Sequence, residues 1–102
     1  MKSCSRALCL VLSCYFSFSD HHFRAAENYS KNRYADVLAM EETRVVLKSD
    51  SNESDYINAN YVDGFDHIKA YISTQGPLEK TVKDQWRLLW QQKVRVIVMT
   101  TK

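Results

Sequence analysis

An α/β or α+β domain built on a mixed sheet is the fold class this sequence predicts, and three observations carry it. Tyr56 to Val62 (YINANYV) alternates at the period of a strand. Val82, Trp86, Leu89 and Trp90 recur at i, i+4, i+7 and i+8, the period of an amphipathic helix. Val94 to Thr100 (VRVIVMT) is a nearly continuous, β-branched apolar run, as in a strand covered on both faces. Strand, helix and strand between Ala70 and Thr100 also match the length of a βαβ crossover.

The chain changes character near Asp20. Before it, Lys2 and Arg6 flank the start of an apolar stretch of 12 residues, Ala7 to Phe18, with small residues at Ser17 and Ser19. Positive, then apolar, then small is the order of a secretory signal peptide, although no Ala-x-Ala site is present. The other reading is a poorly packed leader, an alternative start joined to a domain that normally begins differently. Twelve residues fall short of the ~20 that cross a bilayer as a helix, so no stable membrane span is expected. The chain therefore divides into a leader, residues 1–22, and a body, residues 23–102.

In the body, Phe23, Ala25, Ala26 and Glu27 suggest a short helical approach. Arg44 to Lys48 (RVVLK) reads as a strand, ended by the solvated run Ser49-Asp50-Ser51-Asn52. In the next strand, Tyr56 to Val62, Ile57, Ala59 and Tyr61 fall on one face and Tyr56, Asn58 and Asn60 on the other, and Asp63-Gly64 marks a closing turn. Ala70 to Thr74 gives a third strand, stopped at Gly76-Pro77 because proline withdraws a ladder donor. Thr81 followed by Asp84 is placed to cap the helix. The last strand, Val94 to Thr100, calls for neighbours on both sides and helices on both faces. Too few other elements are at hand to supply them, so an incomplete domain is expected.

Composition narrows the function classes. With 45% hydrophobic and 25% charged residues the chain is globular, and its net charge of +2 is spread without like-charge runs, which argues against nucleic acid as a partner. Two glycines provide no Gly-rich loop for a nucleotide. All three cysteines, Cys4, Cys9 and Cys14, lie in the leader, so the body carries no disulfide framework and suits a reducing compartment. Their five-residue spacing beside His21 and His22 matches no zinc pattern, and no metal or other cofactor is expected. Asn28-Tyr29-Ser30 and Asn52-Glu53-Ser54 are glycan acceptors should the chain enter the secretory route.

Six segments then carry a resemblance. They are Lys31-Asn32-Arg33-Tyr34-Ala35-Asp36-Val37, Thr43-Arg44-Val45, Asp55 to Tyr61 (DYINANY), Thr74-Gln75-Gly76-Pro77-Leu78, Asp84-Gln85-Trp86 with Trp90, and Val96-Ile97-Val98-Met99-Thr100. In order and spacing, from Asn28 to Lys102, the chain resembles the N-terminal part of the catalytic domain of the phosphotyrosine-specific, cysteine-dependent protein tyrosine phosphatase family. Gln85 departs from the family's phenylalanine before the tryptophan, a change that would loosen local packing. The resemblance implies a highly twisted mixed sheet flanked by helices, here incomplete, and a first motif that recognises phosphotyrosine.

In that family the tyrosine matching Tyr34 lines the pocket and packs on the substrate ring, and the aspartate matching Asp36 accepts hydrogen bonds from the substrate backbone. An aromatic wall gains ~0.5–1.5 kcal/mol beyond area burial. A charged acceptor for peptide amides adds ~1.5–3 kcal/mol. Lys31 and Arg33 would attract a phosphate carrying about −1.5 to −2 charges. The plainer reading makes Tyr34 a half-buried loop tyrosine and Asp36 a cap or turn residue. Asn58, Gln75 and Trp86 are read as structural, holding loops and core.

Catalysis through a cysteinyl intermediate requires an activated thiolate in an anion-holding turn, an arginine and a general acid. The family supplies these from His-Cys-x5-Arg and Trp-Pro-Asp loops. Six positions after Cys4, Cys9 and Cys14 stand Leu10, Tyr15 and Asp20, and the single proline, Pro77, follows glycine. The expectation is a fragment of a phosphatase that recognises phosphotyrosine proteins or peptides and is inactive alone. The alternative is a non-catalytic phosphotyrosine-binding module or decoy. The resemblance places the phosphatase domain on the cytoplasmic side, with the signal-like leader belonging to a membrane or secreted form.

Overall fold

The structure is a computed structural model that describes residues 6–10, 26–35, 37–49 and 52–100. Its elements are β1 (Arg6–Leu10), α1 (Ala26–Tyr29), β2 (Arg44–Val46), β3 (Tyr56–Val62), β4 (Tyr71–Thr74), α2 (Val82–Gln91) and β5 (Val94–Met99), with 3-10 turns at Glu41–Thr43 and Glu79–Thr81. The five strands form one sheet in the order β2-β3-β4-β1-β5. The pairs β2–β3 and β3–β4 are antiparallel, whereas β4–β1 and β1–β5 are parallel, so the sheet is mixed. Because β4 and β5 run the same way, α2 serves as the crossover between them, with one strand lying in between.

The alternation in β3 decides what lies on each face of the sheet. Ile57 and Ala59 are buried in a core with Val45, Leu47, Ile72 and Leu88, and Tyr61, Leu89 and Val94 pack against it. Full burial of a side chain such as Leu88 or Ile72 stabilises by roughly 1.5–3 kcal/mol. The other β3 series, Tyr56, Asn58 and Asn60, turns to the segment between α1 and β2. There Tyr56 Oη donates to Asn32 Oδ1, Asn58 Nδ2 donates to Val37 O at 2.8 Å, and Asn60 Nδ2 donates to Met40 O at 3.0 Å and Thr43 Oγ1 at 2.7 Å.

Side chains from α2 fix it to the loop that follows β2. Gln91 donates from Nε2 to Lys48 O and accepts from Lys48 N, both at 2.8 Å, and Arg87 Nη2 donates to Lys48 O at 2.8 Å. Arg87 also pairs with Asp84 at 3.1 Å and Glu53 at 3.7 Å. Among the described residues no helix is long and apolar enough to cross a membrane.

Several expectations need correction. The buried residues of α2 are Gln85 and Leu88, not the predicted stripe: Trp86 is 64% and Trp90 86% exposed, and Val82 is also exposed. The helix presents Gln85 and Leu88 to the small core while its tryptophan stripe lines an open side. Thr81 does not cap α2. Its hydroxyl closes the preceding 3-10 turn, accepting from Leu78 N at 2.8 Å, while Asp84 is engaged by Arg87 and Lys31.

The last strand is not central. It pairs within the described residues with β1 alone, and Arg95 to Met99 are exposed, α2 standing off Ile97 and Met99 across an open pocket. β2 stops at Val46, two residues short of the predicted strand. Asp63-Gly64 opens a longer connection than a two-residue turn: Gly64 N donates to His67 O at 2.7 Å, and Asp63 Oδ1 accepts from Lys69 N at 2.8 Å. Glycine is required at residue 64 by crowding, since a Cβ there would lie 2.9 Å from Ala70 Cβ.

Candidate functional site

The segment carrying Lys31, Arg33 and Tyr34 is a loop with no regular structure to hold its shape, so its backbone groups need partners from elsewhere. Gln75, buried at the end of β4, supplies most of them. Its Oε1 accepts from Arg33 N at 2.9 Å and Asn58 Nδ2 at 3.0 Å, and its Nε2 donates to Lys31 O at 2.8 Å. Asn58 continues the chain of bonds to Val37 O, so one amide pair binds both ends of the loop. Thr74 Oγ1 donates to Asn58 O at 3.1 Å and holds β4 to β3 beneath it. A pair of buried side-chain amides thus makes this end of strands β3 and β4 a template for the loop.

Arg33 spans the same gap from above. Its Nε donates to Gly76 O at 3.1 Å and its Nη2 to Pro77 O at 2.9 Å. Two of its five donors are therefore committed to the backbone, and the side chain is held in place beside the loop. Lys31 pairs with Asp84 at 3.8 Å, and Lys80 donates to Ser30 Oγ at 2.6 Å, which ties the loop's entry to the start of α2. Asn28 is buried and associates with Ser54 Oγ at 3.2 Å, leaving the first glycan acceptor turned into the protein.

Tyr34 stands at the crest of this loop, 47% exposed, and its backbone carbonyl accepts from Val37 N in a turn. Among the described residues its hydroxyl has no hydrogen-bond partner, so ring and hydroxyl are available to a ligand. Asp36 lies outside the described residues. The three site residues chosen from sequence are thus divided: Arg33 and Tyr34 lie on one anchored loop, and Arg33 has a structural task besides. Missed by sequence reasoning were the roles of Asn32 and Tyr56. Tyr56 is buried beneath the loop, and burial pushes its hydroxyl well above the usual phenol range while the bond to Asn32 opposes that rise. A polar tip on an otherwise core-like tyrosine was the available signal.

Beside the site, Arg44 is buried with Glu41 at 3.5 Å and Asp55 at 3.5 Å, and one of its nitrogens, Nη1, has no hydrogen-bond partner among the described residues. Among the described residues no group of three or more His, Cys, Asp or Glu side chains is arranged to hold a metal ion.

Comparison with known proteins places this arrangement. The family model for protein-tyrosine phosphatase matches residues 28–102. Mouse tyrosine-protein phosphatase non-receptor type 9 is 53% identical over 77 residues, covering 74% of this chain and 13% of its own. Tyrosine phosphatase H2 of Microplitis demolitor bracovirus is 50% identical over 76 residues, covering 74% of this chain and 23% of its own. Among solved structures, PTPN18 in complex with HER2 phosphopeptides superposes with a TM-score of 0.72 at 47% identity, covering 74% of this chain and 27% of that one. The catalytic domain of human protein tyrosine phosphatase non-receptor type 18 gives 0.69 at 48%, covering 72% and 27%. The chain thus spans a quarter or less of the curated relatives it matches and about a quarter of the solved domains. On these grounds, and on the mixed α/β fold they share, the chain belongs to the protein-tyrosine phosphatase family.

Proposed function

We propose that residues 23–102 are the phosphotyrosine-recognising front of a tyrosine phosphatase domain, with Tyr34 as the aromatic wall of the substrate pocket, Asp36 as acceptor for substrate backbone amides, and Arg33 as a source of positive potential toward the phosphate. The observation that carries this reading is the Gln75–Asn58 clamp, which fixes the loop at both ends while leaving Tyr34 open. Preorganisation of this kind serves binding, because a loop already held loses little freedom when a ligand arrives. PTPN18, similar over the same share of the chain, is seen with phosphopeptides of HER2, which supports a phosphotyrosine peptide as the partner.

Hydrolysis through a cysteinyl phosphate belongs, in this proposal, to the complete domain. The 102-residue chain has no cysteine followed six positions later by arginine, and it lacks a Trp-Pro-Asp sequence. It is proposed to be inactive by itself.

Fluorescence anisotropy with a labelled phosphotyrosine peptide tests recognition. Tyr34→Ala should weaken binding by ~0.5–1.5 kcal/mol beyond the area lost, roughly two- to tenfold in Kd. Equal affinity of wild type and variant, or no preference for the phosphorylated peptide, refutes the assignment. Orthovanadate-sensitive turnover of an aryl phosphate by the 102-residue chain refutes the inactivity.

A further inference from the structure

Ser30 is exposed in the turn after α1, where the chain enters the loop that carries Tyr34. It ends the glycan acceptor triplet whose asparagine, Asn28, is buried, so in the folded protein its hydroxyl serves no glycan. Two lysines stand by it at the start of α2. Lys80 Nζ donates to Ser30 Oγ at 2.6 Å, and Lys31, the next residue in the chain, holds its Nζ 3.8 Å from Asp84 with 19% of its side chain exposed. Asp84 is the carboxylate that opposes further negative charge here, and Arg87 shares it, with Nη1 at 3.1 Å. Lys31 can therefore turn to a stronger anion at Ser30 without leaving Asp84 unpaired.

We propose that Ser30 is a phosphorylation site, and that its phosphate, seated on Lys80 and Lys31, is an inhibitory charge against phosphotyrosine peptides approaching Tyr34. The seat rests on the geometry of Ser30, Lys80 and Lys31, and the inhibition rests in addition on the recognition role given to the loop. In the modifying step Ser30 Oγ bonds to the γ-phosphorus of a nucleoside triphosphate as the bond from that phosphorus to the β–γ bridging oxygen breaks; the hydroxyl proton goes to the kinase's base and a nucleoside diphosphate leaves. The product carries about −1.5 to −2 charges and three strong acceptor oxygens. The bond from Lys80 then becomes charge-assisted, and Lys31 gains a partner of higher charge than Asp84. Lys31 is thereby withdrawn from attracting a substrate phosphate. Four residues span at most ~14 Å, so the new charge also lies well within the ~30 Å screening length of 0.01 M salt around Tyr34.

The full chain with phosphoserine encoded at Ser30 tests the seat by phosphorus NMR. The second ionisation of the phosphate should fall ~0.2–0.7 pH units below that of the same phosphoserine in a peptide of residues 26–35, and Lys80→Met should return most of the difference. A value equal to the peptide's, or one indifferent to Lys80→Met, overturns the seat. Fluorescence anisotropy with a labelled phosphotyrosine peptide tests the inhibition: the modified chain should bind roughly two- to fivefold more weakly than the unmodified one at about 0.01 M salt, and the two should converge at about 0.5 M. Equal affinities at low salt, where the unmodified chain prefers the phosphorylated peptide, overturn the inhibition. Absence of that preference in the unmodified chain refutes the recognition reading and the inhibition with it, while the titration still decides the seat. Mass-spectrometric mapping of the chain recovered from eukaryotic cells should find phosphate on Ser30, lost in Ser30→Ala. Phosphate on Tyr29 alone, or none in this segment, overturns the modification.

Discussion

Replacing Gln75 by alanine is the sharpest perturbation of the loop that carries Lys31, Arg33 and Tyr34, because one side chain serves three partners. The change removes acceptors for Arg33 N and Asn58 Nδ2 and the donor to Lys31 O. Asn58 keeps one Nδ2–H on Val37 O, but its other Nδ2–H is stranded together with Arg33 N–H and Lys31 C=O. A buried polar group without a partner costs about 1–3 kcal/mol. The Arg33 and Lys31 groups are part-buried and water reaches them in part, whereas the Asn58 donor is buried, so the expected loss is ~2–5 kcal/mol in total. Gln75→Glu separates the two halves of the clamp: it keeps acceptors for Arg33 N and Asn58 Nδ2, and replaces the donor to Lys31 O by an oxygen that faces that carbonyl.

Urea unfolding measures the loss, and amide hydrogen exchange localises it. Exchange at Arg33 should accelerate strongly in Gln75→Ala and much less in Gln75→Glu, while amides of β3 keep their protection. Phosphopeptide affinity should fall in the same order, since a loosened loop has to be reordered on binding. The reasoning fails if Gln75→Ala unfolds within about 0.5 kcal/mol of wild type, as an ordinary surface change does, or if Arg33 exchange is unaltered.

Three further outcomes follow from the packing. Tyr56 has a folded-state pKa raised by burial, so its stabilising contribution is complete below the unfolded value of about 10 and is lost as pH rises beyond it, by up to ~1.4 kcal/mol per pH unit; alkaline unfolding of Tyr56→Phe should lack that component. Lys93 follows α2 in the left-handed region at φ 55°, where a side chain costs ~1–2 kcal/mol and glycine's extra chain entropy returns ~0.5–1 of it. Lys93→Gly should therefore raise the unfolding midpoint slightly, and a clear drop contradicts the geometry. Leu88→Ala, at a fully buried position facing the sheet, should cost ~2–5 kcal/mol in chemical denaturation, whereas Trp90→Lys, at an exposed one, should change stability by no more than ~0.5 kcal/mol.

Those contrasts mark where sequence reasoning reaches its limit. The existence and bounds of β3 and α2 were legible because each shows its period over two or more turns or pleats. Which side of α2 is buried was not, because periodicity finds an apolar stripe without saying whether a partner covers it. Trp86 and Trp90 outrank Leu88 in size, yet Leu88 meets Val45 and Ile72. The position of β5 failed for the same reason, since a β-branched run reports strand propensity and not neighbours. Pairing of Arg6–Leu10 is a long-range event between segments more than sixty residues apart and has no local signature. In the candidate site, Tyr34 and Gln75 were identifiable by motif, but the bonds that join Gln75 to Lys31 and Arg33 cross more than forty residues.

β3 links the fold to the loop that carries Tyr34 more tightly than either end of that loop does alone. Its odd-numbered residues, Ile57, Ala59 and Tyr61, meet the core, and its even-numbered ones, Tyr56, Asn58 and Asn60, hold the loop and the segment leading to β2. A slip of one residue would drive two asparagines into the core and withdraw every anchor from the loop. The cost of burying two unpaired amides, about 1–3 kcal/mol per group, excludes that register. The same alternation that buries the core therefore anchors the loop that carries Tyr34. An insertion within β3 should abolish folding and peptide recognition together, while changes at Tyr34 leave the fold intact.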